Sequence, residues 1–285
     1  MKRRRNILIT VITILLFGCG FLYYQNNAIT TTHIHIASKK IPRSFSEYVI
    51  VQLSDLHSKS FGDNQKNLVR KVKKQNPNII VFTGDLIDQK KYDKKAGLTL
   101  MEELLKLAPV YYVNGNHEWW SGKYSELKAS LKTLGVTLLD NKYKKIKKGQ
   151  DSIHIIGIND PANVAEADEK KIVREELDTV LQHIEKQDNF QILLSHRPEM
   201  FHLYSEYTID LILAGHAHGG QIRIPFVGGI VAPNQGILPK YTAGKYTIKN
   251  STMIVNRGLG NSIIPQRIFN KPEIIVLKLF PLNSP

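Results

Sequence analysis

The chain has 285 residues, 42% hydrophobic and 22% charged, an ordinary globular composition with room for one large domain and a sizeable core. One cysteine, Cys19, excludes an intrachain disulfide and any thiolate metal site, so a metal would be held by oxygen and imidazole nitrogen. The formal net charge is +14, of which Lys2, Arg3, Arg4 and Arg5 supply four. That balance favours anions such as phosphorylated substrates, acidic lipid heads or wall polymers, with a solvated lysine-rich surface as the plain alternative. No nucleic-acid-binding motif accompanies the charge, and nothing points to a protein partner.

Residues 7–24 form an apolar run of 18 residues. As a helix it spans about 27 Å, close to the hydrocarbon core of a bilayer. Tyr23 and Tyr24 sit where an interfacial aromatic belt would place them. The basic cluster before the run, against the next basic residues at Lys39, Lys40 and Arg43, predicts a single-pass cell-membrane anchor. Its N-terminus lies inside and the following domain is extracytoplasmic. The alternatives are a cleaved signal, including a twin-arginine one at Arg4-Arg5, and a lipid on Cys19.

Residues 25–45 read as a linker with a possible first strand at 32–37, where His33 and His35 belong to the strand surface. The domain proper covers 46–285. It opens with an apolar strand at 48–53, a helix at 64–75, a strand at 78–82 and a helix at 98–107 with Leu100, Leu104 and Leu107 inward. A strand at 110–113 and a helix at 124–134 follow. The lysine-rich stretch 143–148 around Ile146 reads as a solvated strand edge, ahead of a strand at 152–158 and a charged helix at 165–185. Strands at 190–194 and 209–213 complete an α/β rhythm with parallel pairing. The short segments 221–224, 246–248, 252–255 and 273–279 are expected to make a second sheet packed on the first.

Five clusters of metal-binding residue types stand at or near predicted strand ends. They are Asp55 with His57, Gly84-Asp85, Gly115-Asn116-His117-Glu118, His196-Arg197, and His216 with His218. A spacing of two at a strand end puts Asp55 and His57 on one face, and the same holds for His216 and His218. Asp85 can bridge two cations, Asn116 can offer an amide oxygen, and Gly84 lets the backbone turn tightly. One histidine, His117, is left over to act on a substrate. Gathered at the carboxyl edge of a sheet, the set can build two adjacent cation sites.

In this order the clusters resemble the calcineurin-like metallophosphoesterase superfamily, whose pattern is Asp-x-His, Gly-Asp, Gly-Asn-His-Asp/Glu, His and Gly-His-x-His. Residues 219–223 and 257–260, with Pro265, Arg267 and Pro272-Glu273, are similar to its bacterial membrane-associated branch. The resemblance implies two packed mixed β-sheets flanked by helices, with a dimetal site at the carboxyl ends of strands. It implies that Asp55, His57, Asp85 and His218 bind one divalent metal, and Asp85, Asn116, His196 and His216 the other. Manganese, iron or zinc suit such donors.

The expected activity is metal-dependent hydrolysis of phosphodiester or pyrophosphate bonds in a phosphorylated small molecule or a lipid-linked substrate such as UDP-2,3-diacylglucosamine. Phosphomonoester or phosphoprotein hydrolysis at the same site, and a non-catalytic scaffold, are the competing readings. His117 is expected to stabilise developing charge or protonate the leaving oxygen. Glu118 either orients His117 or caps the next helix. Arg197, Arg223, Arg257 and Arg267 are candidates for further phosphate contacts, with structural ion pairs as the alternative. Trp119 and Trp120 either pack in the core or meet a substrate base or lipid.

Overall fold

The computed structural model describes residues 2–184, 189–261 and 264–282. Glu185 and Pro285, taken above as the ends of a helix and of the domain, lie outside the described residues.

Helix α1 (Lys2–Asn27) contains the apolar run and is, among the described residues, the one helix long and apolar enough to cross a membrane. Strand β1 (Thr30–Ser38) begins three residues later, so the expected first strand is real and follows the helix without a free linker. Its His33 and His35 are exposed, as anticipated for a strand surface.

Next come β2 (Val49–Leu53), α2 (Lys66–Lys73), β3 (Ile79–Thr83), α3 (Lys94–Leu105), β4 (Val110–Val113), the short α4 (Asn116–Trp120) and α5 (Tyr124–Leu134). Then follow β5 (Thr137–Leu138), β6 (Lys142–Lys148), β7 (Asp151–Gly157), α6 (Glu169–Leu181), β8 (Gln191–Leu194), α7 (Phe201–Tyr204) and β9 (Leu211–Ala214). Helix α3 starts earlier than the hydrophobic pattern alone suggests because Asp93 caps it, its carboxylate accepting from the Lys95 N–H at 2.9 Å.

After β9 come two small ribbons, β10 (Arg223–Ile224) with β11 (Gly228–Gly229) and β12 (Val231–Ala232) with β13 (Gly236–Ile237). Strands β14 (Gly244–Ile248), β15 (Ser251–Val255) and β16 (Glu273–Pro281) follow them.

Two six-stranded mixed sheets result. The first runs β1-β16-β2-β3-β4-β5 and the second β14-β15-β9-β8-β7-β6. This corrects the expected division of strands. The second sheet already begins at β6, and residues 273–279 belong to the first sheet, where β16 lies parallel to β1 and antiparallel to β2. Residues 221–224 join neither sheet and form a ribbon edge instead. A run of strand-helix units reads the same whether it extends one sheet or starts another, so local pattern could not assign these memberships.

Alternation along each strand divides the interior into three layers. Ile50, Val81 and Val113 of the first sheet face Ile153, Ile192, Leu213 and Ile254 of the second. Val51 and Phe82 point the other way, onto Leu68, Leu100 and Leu127 of α2, α3 and α5. Ile156 and Ile212 likewise meet Val173 and Leu177 of α6. The period of two at each strand sends neighbours to opposite faces, so each sheet is covered on both. Edge strand β6 exposes Lys142, Lys144, Lys147 and Lys148 and buries Ile146, as expected of a solvated edge.

Candidate dimetal site

The parallel strands β2, β3 and β4 and the pair β8 and β9 end at the same edge of the sandwich, and the loops leaving them meet across the sheet interface. Asp55 and His57 follow β2, Asp85 follows β3, and Asn116 and His117 open α4 after β4. His196 follows β8, and His216 and His218 follow β9. All eight residues are buried.

The side chains converge because of backbone conformation rather than strand alternation. Strands β2 and β9 stop at Leu53 and Ala214, before the pairs at spacing two. Asp55, His57, Asp85, His216 and His218 instead all hold left-handed backbone, with φ between 46 and 64°. Such strain at non-glycine residues persists only where surrounding contacts over-determine it. Here the Asp55 N–H donates to Gly84 O (2.9 Å), the His57 N–H to Asp85 O (3.0 Å), and the His216 N–H to the Asp55 carboxylate (3.0 Å). Gly84, at φ +92°, is required for a second reason: a Cβ there would stand 2.5 Å from His196 Nδ1 and 2.8 Å from Gly115 N.

Two groups of donors share one carboxylate. Asp55, His57, Asp85 and His218 form the first, and Asp85, His196 and His216 the second. Asp85 Oδ2 is 3.4 Å from His57 Nε2 and 3.2 Å from His196 Nε2. Asn116 adds its amide oxygen 3.1 Å from His196 Nε2. His57 Nε2 faces His218 Nε2 at 3.0 Å, and His196 Nε2 faces His216 Nδ1 at 3.2 Å. Separations near 3 Å are those of neighbouring ligands around a cation with bonds of about 2.1 Å. The donor set therefore fits divalent metal.

Charge is arranged to match. Burial keeps His216 and His218 well below the usual imidazole range, so both are neutral and offer lone pairs. Burial opposes ionisation of Asp85, but His196 and His117 more than offset it and hold the carboxyl well below its ordinary value. Burial would lower His196 too, yet Asp85 and Asp55 raise it to about 10.

Partners behind the donors fix the rings. His196 Nδ1 donates to Thr83 O at 2.7 Å, so Nε2, which faces Asp85, is the atom that would give up its proton to a cation. His216 Nε2 donates to Asn234 Oδ1 at 3.0 Å, which frees Nδ1. Asp88 Oδ2 lies 3.5 Å from His57 Nδ1 and 3.7 Å from His117 Nδ1. Sequence reading missed Asn234 and Asp88. For Asp88 the signal was its place three residues after Asp85; Asn234 carries none.

Glu118 caps a helix, but it is α4, the short helix it lies in, and not the one at 124–134. Gly115 and Asp85 N–H donate to its Oε2 (2.7 and 2.9 Å), and Ile87 N–H donates to Oε1 (3.2 Å). The carboxylate thus ties the loop after β3 to the loop after β4. Burial and the nearby Asp85 push it up to about 7, against those three donors. Trp119 packs on Tyr124 at 4.9 Å, whereas Trp120 is 51% exposed with its ring 5.6 Å from His117.

The four arginines are already engaged by the fold. Arg197, 1% exposed, pairs with Asp160 through Nε at 2.6 Å and donates to Asn234 Oδ1 at 2.9 Å, so it stands behind the His216 support rather than in the open. Arg257 pairs with Glu273 at 2.7 Å. Arg267, fully buried, donates to Gly260 O, Arg257 O and Asn270 O. Arg223 donates to Gly219 O at 2.8 Å. Arg197 and Arg257 thus stand in structural ion pairs, whereas Arg267 is held by backbone carbonyls. A guanidinium in a sequence reads the same with or without an internal partner. The basic groups that line the cleft of about 460 Å³ beside His57 and His117 are Lys59, Lys90 and Lys91, of which burial pushes Lys59 down to about 7.

The calcineurin-like phosphoesterase family model matches residues 48–220, which contain all seven metal-ligand candidates and His117. The chain belongs to the calcineurin-like phosphoesterase family. It is a metal-dependent phosphoester hydrolase with a divalent-metal centre at the strand ends just described. It is 31% identical over 271 residues to the "uncharacterized metallophosphoesterase YkuE" of Bacillus subtilis (strain 168), covering 93% of this chain and 91% of that one. It is 29% identical to the "transmembrane protein with metallophosphoesterase domain" of Bos taurus, over 96% of this chain and 62% of that protein. Among solved structures, TT1561 of Thermus thermophilus shares the fold with a TM-score of 0.51 at 13% identity, over 75% of this chain and 91% of that chain.

Proposed function

We propose that this phosphoesterase is held in a membrane by α1, belongs to the membrane-associated bacterial branch, and cleaves phosphodiester or pyrophosphate bonds of lipid-linked substrates. UDP-2,3-diacylglucosamine and other envelope phosphodiesters are the class in view. The observation that carries this reading is the place of the cleft. His117 and the three lysines open onto it, and its wall at Pro265 accepts a hydrogen bond from Asn26 at the end of α1, at 3.0 Å. The basic cluster Lys2, Arg3, Arg4 and Arg5 supports an orientation with the N-terminus inside and the catalytic domain outside.

In this reading Asp55, His57, Asp85 and His218 hold one cation and Asp85, Asn116, His196 and His216 the other, with manganese, iron or zinc as suitable ions. When bound, the two ions polarise the phosphoryl oxygens and acidify a water. The remaining work falls to the chain. The Gln89 N–H donates to His117 Nδ1 at 3.2 Å, which leaves the ring proton on Nε2. Burial lowers the His117 pKa, so at neutral pH the residue acts as a neutral hydrogen-bond donor to developing charge. Lys90 and Lys91 hold a further anionic group of the substrate as point charges, whereas Lys59, pushed down to about 7 by burial, donates to Asn26 O at the end of α1.

The deciding experiment compares hydrolysis of bis-p-nitrophenyl phosphate and p-nitrophenyl phosphate by the full chain in detergent with added manganese. Preference for the diester supports the reading. Preference for the monoester replaces it with phosphomonoesterase or phosphoprotein phosphatase activity. Turnover of neither, with two metals bound, points to a demanding substrate or the scaffold reading.

A further inference from the structure

The turn between β10 and β11 and the residue Phe269 are apolar, exposed and placed beside the anchor. Phe226 is fully exposed, Ile224 and Val227 flank it at 46% and 61% exposure, and Phe269 is 56% exposed. Phe226 and Phe269 both occupy left-handed backbone, with φ of 67 and 52°. Bulky side chains are disfavoured there, where asparagine or glycine is accepted. Two phenylalanines kept in that conformation and turned outward bury little of their apolar surface within the domain. The turn and Phe269 line one shallow cleft, so they form a continuous patch.

The patch is continuous with α1. The ring of Phe269 meets the ring of Phe21 edge to face, 5.7 Å between centroids. Phe21 lies three residues inside the end of the apolar run at Tyr24, about 4.5 Å along the helix axis. If the run spans the hydrocarbon, a side chain resting on Phe21 is at the hydrocarbon boundary. The helix end is also fastened to the domain. Gln266 Nε2 donates to Leu22 O at 3.1 Å, the Arg267 N–H donates to Asn26 Oδ1 at 2.8 Å, and Lys59 Nζ donates to Asn26 O at 2.5 Å. With two residues between α1 and β1, the domain has no tether on which to swing away. Lys271, 5.1 Å over the Tyr24 ring, puts a cation at the level of the headgroups.

We propose that residues 224–227 and Phe269 form a membrane-docking surface. It enters the edge of the leaflet in which α1 ends and sets the cleft beside His117 at headgroup level, so that a lipid substrate is cleaved without leaving the bilayer. The occupant is the lipid interface, and the inference rests on α1 being a membrane span. Interfacial apolar wedges beside basic residues bind bilayers by this combination of burial and headgroup attraction.

The test uses the full chain carrying Phe226→Trp, reconstituted into vesicles of phosphatidylcholine and phosphatidylglycerol with brominated acyl chains. The added tryptophan emission, taken against the parent protein, is expected to fall about twofold relative to unbrominated vesicles, as for a side chain within the acyl boundary. A chain that floats with the vesicles but shows no extra quenching overturns the docking surface and leaves the anchor standing. A chain that does not float overturns both.

A second variant, Phe226→Asn with Phe269→Asn, keeps residues that accept left-handed backbone. Its rate on soluble bis-p-nitrophenyl phosphate is expected to match the parent, while its rate on a phosphodiester lipid in vesicles drops about tenfold. Equal rates on the vesicle substrate overturn the proposal. If the parent cleaves neither substrate, the substrate reading fails and the quenching result decides docking by itself.

Discussion

The two sheets contribute unlike chemistry to one site. The loops leaving β2, β3 and β4 bring both carboxylates, the amide of Asn116, His57 and His117, whereas the loops leaving β8 and β9 bring imidazoles alone. The first sheet therefore supplies the negative charge that attracts cations, and the loop after β9 on the second supplies two imidazoles kept neutral by burial. Each of the two donor groups that share Asp85 draws on both sheets. The site exists because Ile50, Val81, Ile192 and Leu213 pack the sheets face to face. A metal centre at a packed interface inherits the rigidity of the core beneath it.

The largest effect should follow from removing the group the two halves share. Asp85→Ala takes away the oxygen that lies near both His57 and His196, so both cations should be lost. Activity should fall by at least about a thousandfold, since a metal supplies several kcal/mol of charge stabilisation; metal analysis of the purified protein checks it. Retention of both metals would show that the halves bind independently.

His117→Ala separates chemistry from binding. Two metals should remain while kcat drops by about 10²–10⁴, and loss of metal together with activity would remove His117 from its proposed role. Chelation followed by added manganese should restore the unaltered enzyme and leave this variant slow.

Supports behind the donors test the two halves separately. Asn234→Ala frees the His216 ring on the second sheet, and Asp88→Asn weakens the partner of His57 on the first. Each should cost about 10–100-fold in metal affinity, and calorimetric titration should show each defect confined to one of two binding steps. Identical effects on both steps would mean that the cations couple too strongly to be assigned to halves.

The smallest expected effect concerns stability at the flank of the second sheet. Burial pushes Glu176 of α6 up to about 7, and only its Oε1 has a partner, Asn141 at 2.7 Å. Because the folded value lies above the unfolded one, folding favours the protonated acid. The penalty is absent below pH 4.5, grows between 4.5 and 7 and is complete above 7. Glu176→Gln should therefore raise Tm above pH 7, by about 1–2 kcal/mol in stability after allowing for partial exposure, and change it little at pH 4. A shift of equal size at both values would locate the effect elsewhere.

Much of this was legible in order along the chain. Each of the seven metal-ligand candidates stands just after an apolar run, and an apolar run followed by a polar turn marks a strand end whatever sheet the strand joins. The apolar first helix, the α/β rhythm and the place of the site follow from the same local signals. What tertiary structure alone decided was every pairing across large sequence separations. Arg197 finds Asp160, Asn234 reaches both Arg197 and His216, β16 returns to lie between β1 and β2, and Asn26 reaches the wall of the cleft. The reason is that hydrophobic periodicity reports which face of an element is buried but carries no address for the partner that buries it. Whether an arginine meets a phosphate or an aspartate depends on that address.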